Sequence, residues 1–175
     1  MLRHRGPDAH TELRTSRGVF VFDRLSINGI ADGGQPFASE PETAMVCNGE
    51  IYNHKALETM FGVEPRSGSD CEVLYRMLLQ DRPVEDVVNA LDAEFACVFG
   101  AGDLIIAARD PLGVRPLFVG YTDDDEVVGF ASEAKGLLPE ATRIEQFPPG
   151  CYWRSSDAPR SFVSYSNVLT PVPVP

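Results

Sequence analysis

Apolar positions follow two rhythms along the chain. In Gly18–Ile27 (GVFVFDRLSI), β-branched and aromatic residues run nearly unbroken into Asn28-Gly29, the pattern of a strand closed by a turn. Ala44–Cys47 predicts a second strand, running into Asn48-Gly49-Glu50. The spacing then changes. Leu57, Met60 and Phe61 have helical spacing between a candidate N-cap, Asn53, and a candidate stop, Gly62. A longer helix is predicted after Ser67–Asp70, with Val73, Leu74, Met77 and Leu78 on one face. A third starts at Pro83, with Val84, Val87, Val88 and Leu91 turned inward.

Beyond it the pattern returns to sheet. Glu94–Gly100 and Leu104–Arg109 flank a tight Ala101-Gly102-Asp103 turn, and Pro116–Tyr121 and Val127–Ser132 flank an acidic one. Gly150–Trp153 reads as a last strand. Segments such as Leu104–Ala108 are apolar on both faces, so each sheet is expected to be covered on both sides, by helices or by another sheet. Hairpins separated by consecutive helices predict layered α and β structure with antiparallel sheets.

Composition narrows this picture. The chain has 175 residues, 43% of them hydrophobic, enough for one domain with one core. The expected domain covers residues 1–153, and 154–175, ending in the Pro-rich LTPVPVP, reads as a tail or the start of a linker. A net charge of −11 excludes the clustered Lys and Arg that nucleic acid requires. No stretch approaches a membrane span, and Met1–Arg5 meets Gly-Pro-Asp instead of an apolar signal segment. Cys47, Cys71, Cys97 and Cys151 show no metal-site or paired spacing and read as reduced thiols of a cytoplasmic protein.

Five residues stand out as candidate chemistry. Asn48-Gly49 after a buried strand can offer a side-chain amide and a backbone N–H to one point, the donors of an oxyanion hole; it is equally the commonest hairpin dipeptide. Arg24, inside an apolar strand, either grips a ligand carboxylate or forms an internal ion pair. Asp70, before a helix, either caps it or receives an ammonium, with Glu50 as a second carboxylate. Together they would describe a pocket for an α-amino acid. Arg109–Leu117 (RDPLGVRPL) reads as architecture, with Asp110 closing an Asx-type turn, and Ser132 as a cap for a short helix ending at Gly136.

In order and spacing, HRGPD (His4–Asp8), RLSI (Arg24–Ile27), NGEIYNH (Asn48–His54), SGSDCE (Ser67–Glu72), Phe95-Ala96, RDPLGVRPLF (Arg109–Phe118), SEAKGL (Ser132–Leu137) and FPPG (Phe147–Gly150) resemble the glutaminase domain of glutamine-hydrolysing asparagine synthetases, which are class II amidotransferases. The resemblance implies an α+β N-terminal nucleophile hydrolase fold: four αββα layers with two stacked antiparallel sheets. It implies that Arg24 binds the α-carboxylate of L-glutamine, Asp70 and Glu50 its α-ammonium, and Asn48 with the Gly49 N–H the oxyanion. No cofactor is implied in this domain; ATP and Mg²⁺ belong to a synthetase domain that uses the ammonia to amidate aspartate. In such domains a leading Cys is both nucleophile and base. The sequence shows no Met-Cys-Gly start, first strand or synthetase domain, so the expectation is a domain lacking its nucleophile and inactive alone. Two alternatives stand beside it. Cys47 could replace the nucleophile, although a core thiol is the simpler role for it. Otherwise the chain is a glutamine-binding or interaction module, completed by a partner's strand or assembled as a homo-oligomer through open edges.

Overall fold

The computed structural model describes residues 2–26, 31–38 and 41–165. The Asn28-Gly29 turn and the Pro-rich segment fall outside these residues. The elements run β1 (Ala9–Thr15), β2 (Gly18–Arg24), β3 (Thr43–Ile51), α1 (His54–Phe61), α2 (Glu72–Leu78), α3 (Val84–Asn89), β4 (Ala93–Ala101), β5 (Leu104–Arg109), β6 (Phe118–Tyr121), β7 (Val127–Ala131), β8 (Arg143–Gln146), β9 (Cys151–Arg154) and β10 (Val163–Ser164). All pairings are antiparallel. They form a five-stranded sheet in the order β10-β9-β5-β4-β3, a three-stranded sheet β7-β6-β8, and the hairpin β1-β2.

Register sorts the core into two layers. Met45, Cys47 and Ile51 of β3 stand opposite Phe99, Cys97 and Ala93 of β4, so one face of the large sheet carries their side chains. That face is covered by Leu57, Val73, Leu74, Tyr75, Met77, Val87 and Val88 from the three helices. The opposite face presents Ala96, Val98, Ile105, Ala107 and Trp153 to Val119, Tyr121 and Phe130 of the smaller sheet and to Leu117 and Phe147 at its strand ends. Strands apolar on both faces are thus covered on both sides, as the pattern predicts. On the outside of the smaller sheet, Gly120 and Gly129 lie directly across from each other, and Leu137 closes over the gap that their absent side chains leave.

Three expected details differ. Asn53 does not cap α1 with its side chain; instead its Nδ2 donates to Ala90 O at 2.9 Å and its Oδ1 accepts Asp92 N–H at 3.0 Å. Those long-range bonds fix the entry to β4 and so outcompete the local cap. Ser132 caps nothing, since Glu133 is the extended residue before a 3-10 turn at Ala134–Gly136. Past Trp153, where the sequence suggests a tail or linker, β10 pairs with β9. Phe162 stacks edge-on against Phe147 at 5.0 Å, and Tyr165 Oη donates to Arg109 O at 2.7 Å.

The conspicuous sequence motifs brace one another. Gly6 of HRGPD lies so close to β2 that a Cβ there would sit 2.1 Å from Asp23 O. Asp8 donates its N–H to Arg24 O at 3.0 Å and accepts Ser26 N–H at 2.7 Å. Glu133 of SEAKG then receives His4 at 2.8 Å, Lys135 at 3.0 Å and Arg5 at 3.3 Å. Lys135, then His4 and Arg5, hold the Glu133 carboxyl down at about 2, against an ordinary value of 4.5. A depressed carboxylate pKa contributes stability that is full above pH 4.5 and lost as pH falls towards 2. Thermal midpoints of wild type and E133Q are therefore expected to differ at pH 6 and to converge near pH 2, with the gap shrinking in high salt because the cluster is exposed.

Candidate functional site

The candidate site lies along the outer edge of β3, the end strand of the large sheet. Three different groups serve that edge. Phe37 pairs with Met45 in a one-residue bridge. The Gln35 side chain then takes the place of a strand: Cys47 N–H donates to its Oε1 at 2.7 Å, and its Nε2 donates to Cys47 O at 3.0 Å. Farther along, Asp70 Oδ2 accepts Ile51 N–H at 2.6 Å. Gly49 lies between these two anchors.

The backbone of Gly49 points off the sheet. Its partner on β4 is Phe95, whose carbonyl is already used by Asp110 N–H on the other side, at 2.8 Å. In an antiparallel ladder N–H and C=O of one residue point the same way, so Gly49–Phe95 is a non-hydrogen-bonded pair. The Gly49 carbonyl accepts Cys71 Sγ at 3.4 Å, and among the described residues its N–H meets no acceptor. Asn-Gly is here no hairpin turn but the interior of β3, because the ladder to β4 continues through Ile51. The glycine is required by close approach: a Cβ would lie 2.4 Å from Glu94 O and 2.8 Å from Phe95 Cα.

Asn48 projects to the inner face, level with Ala96. Its Nδ2 is buried and has no hydrogen-bond partner among the described residues. An unsatisfied buried amide costs about 1–3 kcal/mol, and such groups in folded proteins demand an explanation. Adjacent to it, an N–H points off the strand edge. Two donors that meet no acceptor among the described residues are what a transient or bound oxyanion would use.

Carboxylates and arginines surround this edge. Glu50, next on the inner face, stands directly opposite Glu94, to which Arg115 Nη2 donates at 2.5 Å. Tyr52, largely exposed, has its phenol pushed up by desolvation and then by Glu94 and Glu50. The hairpin brings in Arg24. Ser16, in its turn, bonds Glu42 just before β3, and Phe20 packs on Gly100, whose partner is Ala44. β2 lies against β3; counted from the Ser16–Glu42 end, Arg24 closes β2 as Asn48–Ile51 closes β3. Asp70 is buried and anchored to β3 and does not cap α2. Its loop is held by Glu72, whose carboxylate takes Arg66 N–H, Ser67 N–H and Arg76. Burial opposes ionisation of Glu72, but Ser67, Arg66 and Arg76 together pull its pKa down.

Arg109 and Asp110 are architecture, as their motif suggests. Arg109 is buried and donates to the carbonyls of Arg115 at 2.7 Å, Phe147 at 2.6 Å and Gly113 at 2.8 Å. Cys47, Cys97 and Cys151 are not poised as nucleophiles. Hydrogen bonding to Cys71 and then burial push Cys47 well above a normal thiol, and burial pushes Cys97 up to about 12. Cys151 is raised by burial as well. Gln35 is the residue that sequence reasoning missed. Nothing in GGQPF marks a glutamine whose amide replaces a strand partner.

Stacked antiparallel sheets, the larger covered by the helices, are the arrangement of an N-terminal nucleophile hydrolase fold. The chain belongs to the glutamine amidotransferase domain family, whose model matches residues 1–168. It is 38% identical over 171 residues to a probable glutamine-hydrolysing asparagine synthetase of Dictyostelium discoideum, a match covering 94% of this chain and 30% of that protein. It is 35% identical over 162 residues to asparagine synthetase B of Escherichia coli K12, covering 90% and 29%. The chain thus spans about a third or less of these relatives. Among solved structures, it resembles the glutamine phosphoribosylpyrophosphate amidotransferase of B. subtilis, with a TM-score of 0.62, 24% identity and coverage of 76% of this chain and 32% of that one. An allosteric regulatory enzyme of purine biosynthesis matches with a TM-score of 0.70 at 23% identity, covering 86% and 35%.

Proposed function

We propose that the β3 edge binds L-glutamine and that the domain serves ammonia supply for asparagine synthesis, in which a synthetase domain uses ATP and Mg²⁺ to amidate aspartate. The observation that carries this reading is a pair of donors without an acceptor among the described residues, the buried Asn48 Nδ2 beside the outward Gly49 N–H. In the proposed complex these donors face the side-chain carbonyl of glutamine and strengthen as it becomes an oxyanion. Arg24 forks onto the α-carboxylate, and Asp70 with Glu50 receives the α-ammonium. Cys47 and Cys97, both buried and with thiols pushed up, are poorly suited to be the attacking thiolate, because the thiolate is the reactive form.

Titration calorimetry of the purified chain with L-glutamine tests the assignment. Saturable binding is expected, with R24A weakening it roughly 30-fold, about 2 kcal/mol for a charge-assisted hydrogen bond. D-glutamine, which misplaces ammonium or carboxylate, is expected to bind poorly. In any form of the protein that hydrolyses glutamine, N48A is expected to lower kcat by about 10²–10³ with a smaller change in KM. Equal affinity for both enantiomers, or for wild type and R24A, would sink the pocket.

A further inference from the structure

Two carboxylates face each other near the end of β3. Glu50 and Glu94 are direct partners across β3 and β4, on the inner face that also carries Asn48. Like charges directly opposite in an antiparallel pair repel, and partial burial weakens the screening by water. One cation answers them. Arg115 Nη2 donates to Glu94 Oε1 at 2.5 Å, between side chains that are 28% and 26% exposed. Arg115 Nε is buried too and meets no acceptor among the described residues.

The root of this arginine is fixed from both sides. Its own N–H donates to Asp110 Oδ2 at 3.0 Å, and its carbonyl accepts Arg109 Nε at 2.7 Å. Asp110 N–H in turn donates to Phe95 O at 2.8 Å, on the residue after Glu94. The loop carrying Arg115 is therefore tied to β4 one residue away from the carboxylate that it grips. A turn built for architecture also aims a guanidinium at the inner face of the site.

We propose that Arg115 is a positioning residue of the glutamine site: by neutralising Glu94 it keeps Glu50 the ionised carboxylate that receives the ligand's ammonium. This role rests on the glutamine reading above. Remove the Arg115 charge, and Glu50 and Glu94 titrate as a coupled pair, one of them holding its proton to higher pH. Remove Glu94 alone, and the guanidinium faces the carboxylate opposite, where it competes with the ammonium for Glu50. The other charged or titratable groups around Glu50 come from several elements. Tyr52 and Asp92 lie where β3 meets β4, and the Tyr52 phenol senses Glu94, Glu50, Arg115 and Asp92. Asp70 holds the outer edge at Ile51 N–H, His54 bonds Ile51 O at 3.0 Å, and Arg24 closes β2. Variants confined to positions 94 and 115 leave all of these in place.

The test is titration calorimetry with L-glutamine between pH 5 and 8, on wild type, R115M, E94Q, the double variant and R115K, with thermal midpoints to confirm folding. R115M is expected to bind within about threefold of wild type at pH 8 and roughly tenfold more weakly at pH 5, as when a like charge strongly raises one carboxylate. E94Q is expected to bind roughly tenfold more weakly across the range. The double variant, which removes the second carboxylate and its cation together, is expected to return to within about threefold of wild type at every pH. R115K keeps the charge within reach of Glu94 and is expected to keep the wild-type pH profile. A merely structural arginine would behave otherwise: R115M would lose affinity equally at all pH values, and adding E94Q would restore nothing. That result overturns the role, as does an R115M profile that superimposes on wild type. A folded wild-type chain that binds no glutamine overturns the pocket itself, an outcome visible before any variant is compared.

Discussion

Asp110→Ala is expected to lower the unfolding free energy by about 4 kcal/mol, within the range for breaking a buried, fully engaged carboxylate. Asp110 is 1% exposed. One carboxylate oxygen accepts Leu112 N–H at 3.1 Å and Val114 N–H at 2.9 Å, and the other accepts Arg115 N–H at 3.0 Å. Alanine leaves three donors turned towards an apolar methyl. It also removes the charge that supports Arg109, whose guanidinium is destabilised by burial and favoured by Asp110. Loss of that support loosens the three carbonyls Arg109 holds, and with them the Phe147–Gly150 turn. Asp110→Asn separates the effects. It retains two acceptor contacts but points an NH₂ at Arg115 N–H, so about half the loss is expected. Urea unfolding of wild type, D110N and D110A should rank in that order. Equal midpoints for wild type and D110A would show that the turn holds itself without the carboxylate.

The large sheet was legible because its strands are apolar on both faces, a requirement that solvent-facing strands do not share. β1 (AHTELRT) escaped for that reason: five of its seven residues are exposed, so burial imposes no alternation on them. β8 and β10 span four and two residues, too short for any periodicity, and their places are set by pairing with β6 and β9. Helix positions and the Gly62 stop were read correctly, while the N-caps were not. At Asn53 and Asp70 a distant backbone group outbids the local helix end, and no local pattern records that competition.

The site was legible as a set of residue types. Arg24, Asn48, Gly49, Glu50 and Asp70 are unusual where they stand, and the structure explains the anomaly for most of them. Asp70 holds the edge of β3 at Ile51. Gly49 is pressed against β4. Asn48 keeps an unsatisfied amide. What spacing could not show is the reason HRGPD and RLSI travel together: Gly6 and Asp8 clamp the backbone around Arg24, from Asp23 to Ser26. Nor could it show Gln35, whose role is visible only once β3 is known to be the end strand.

Gly49→Ala should reveal how tightly that edge is built. The added Cβ meets backbone, with Glu94 O at 2.4 Å and Phe95 Cα and Cβ at 2.8 Å, so no side-chain rotation relieves it. β3 must move away from β4 near the site, and a cost of about 3 kcal/mol is expected, at the upper end for overpacking. Gly62→Ala is the proper comparison. Its φ is +62°, yet nothing lies within 4 Å of the added carbon, so only the left-handed backbone penalty of about 1 kcal/mol applies. Chemical denaturation should place G49A well below G62A. Function should separate them further, because displacement at Gly49 re-aims its N–H and shifts Asn48, while Gly62 ends a helix away from the edge. Glutamine binding is therefore expected to vanish in G49A under conditions where the protein is still folded, and to be retained in G62A. A G49A protein that binds glutamine normally would mean that the open N–H of β3 is not where the ligand's carbonyl lies.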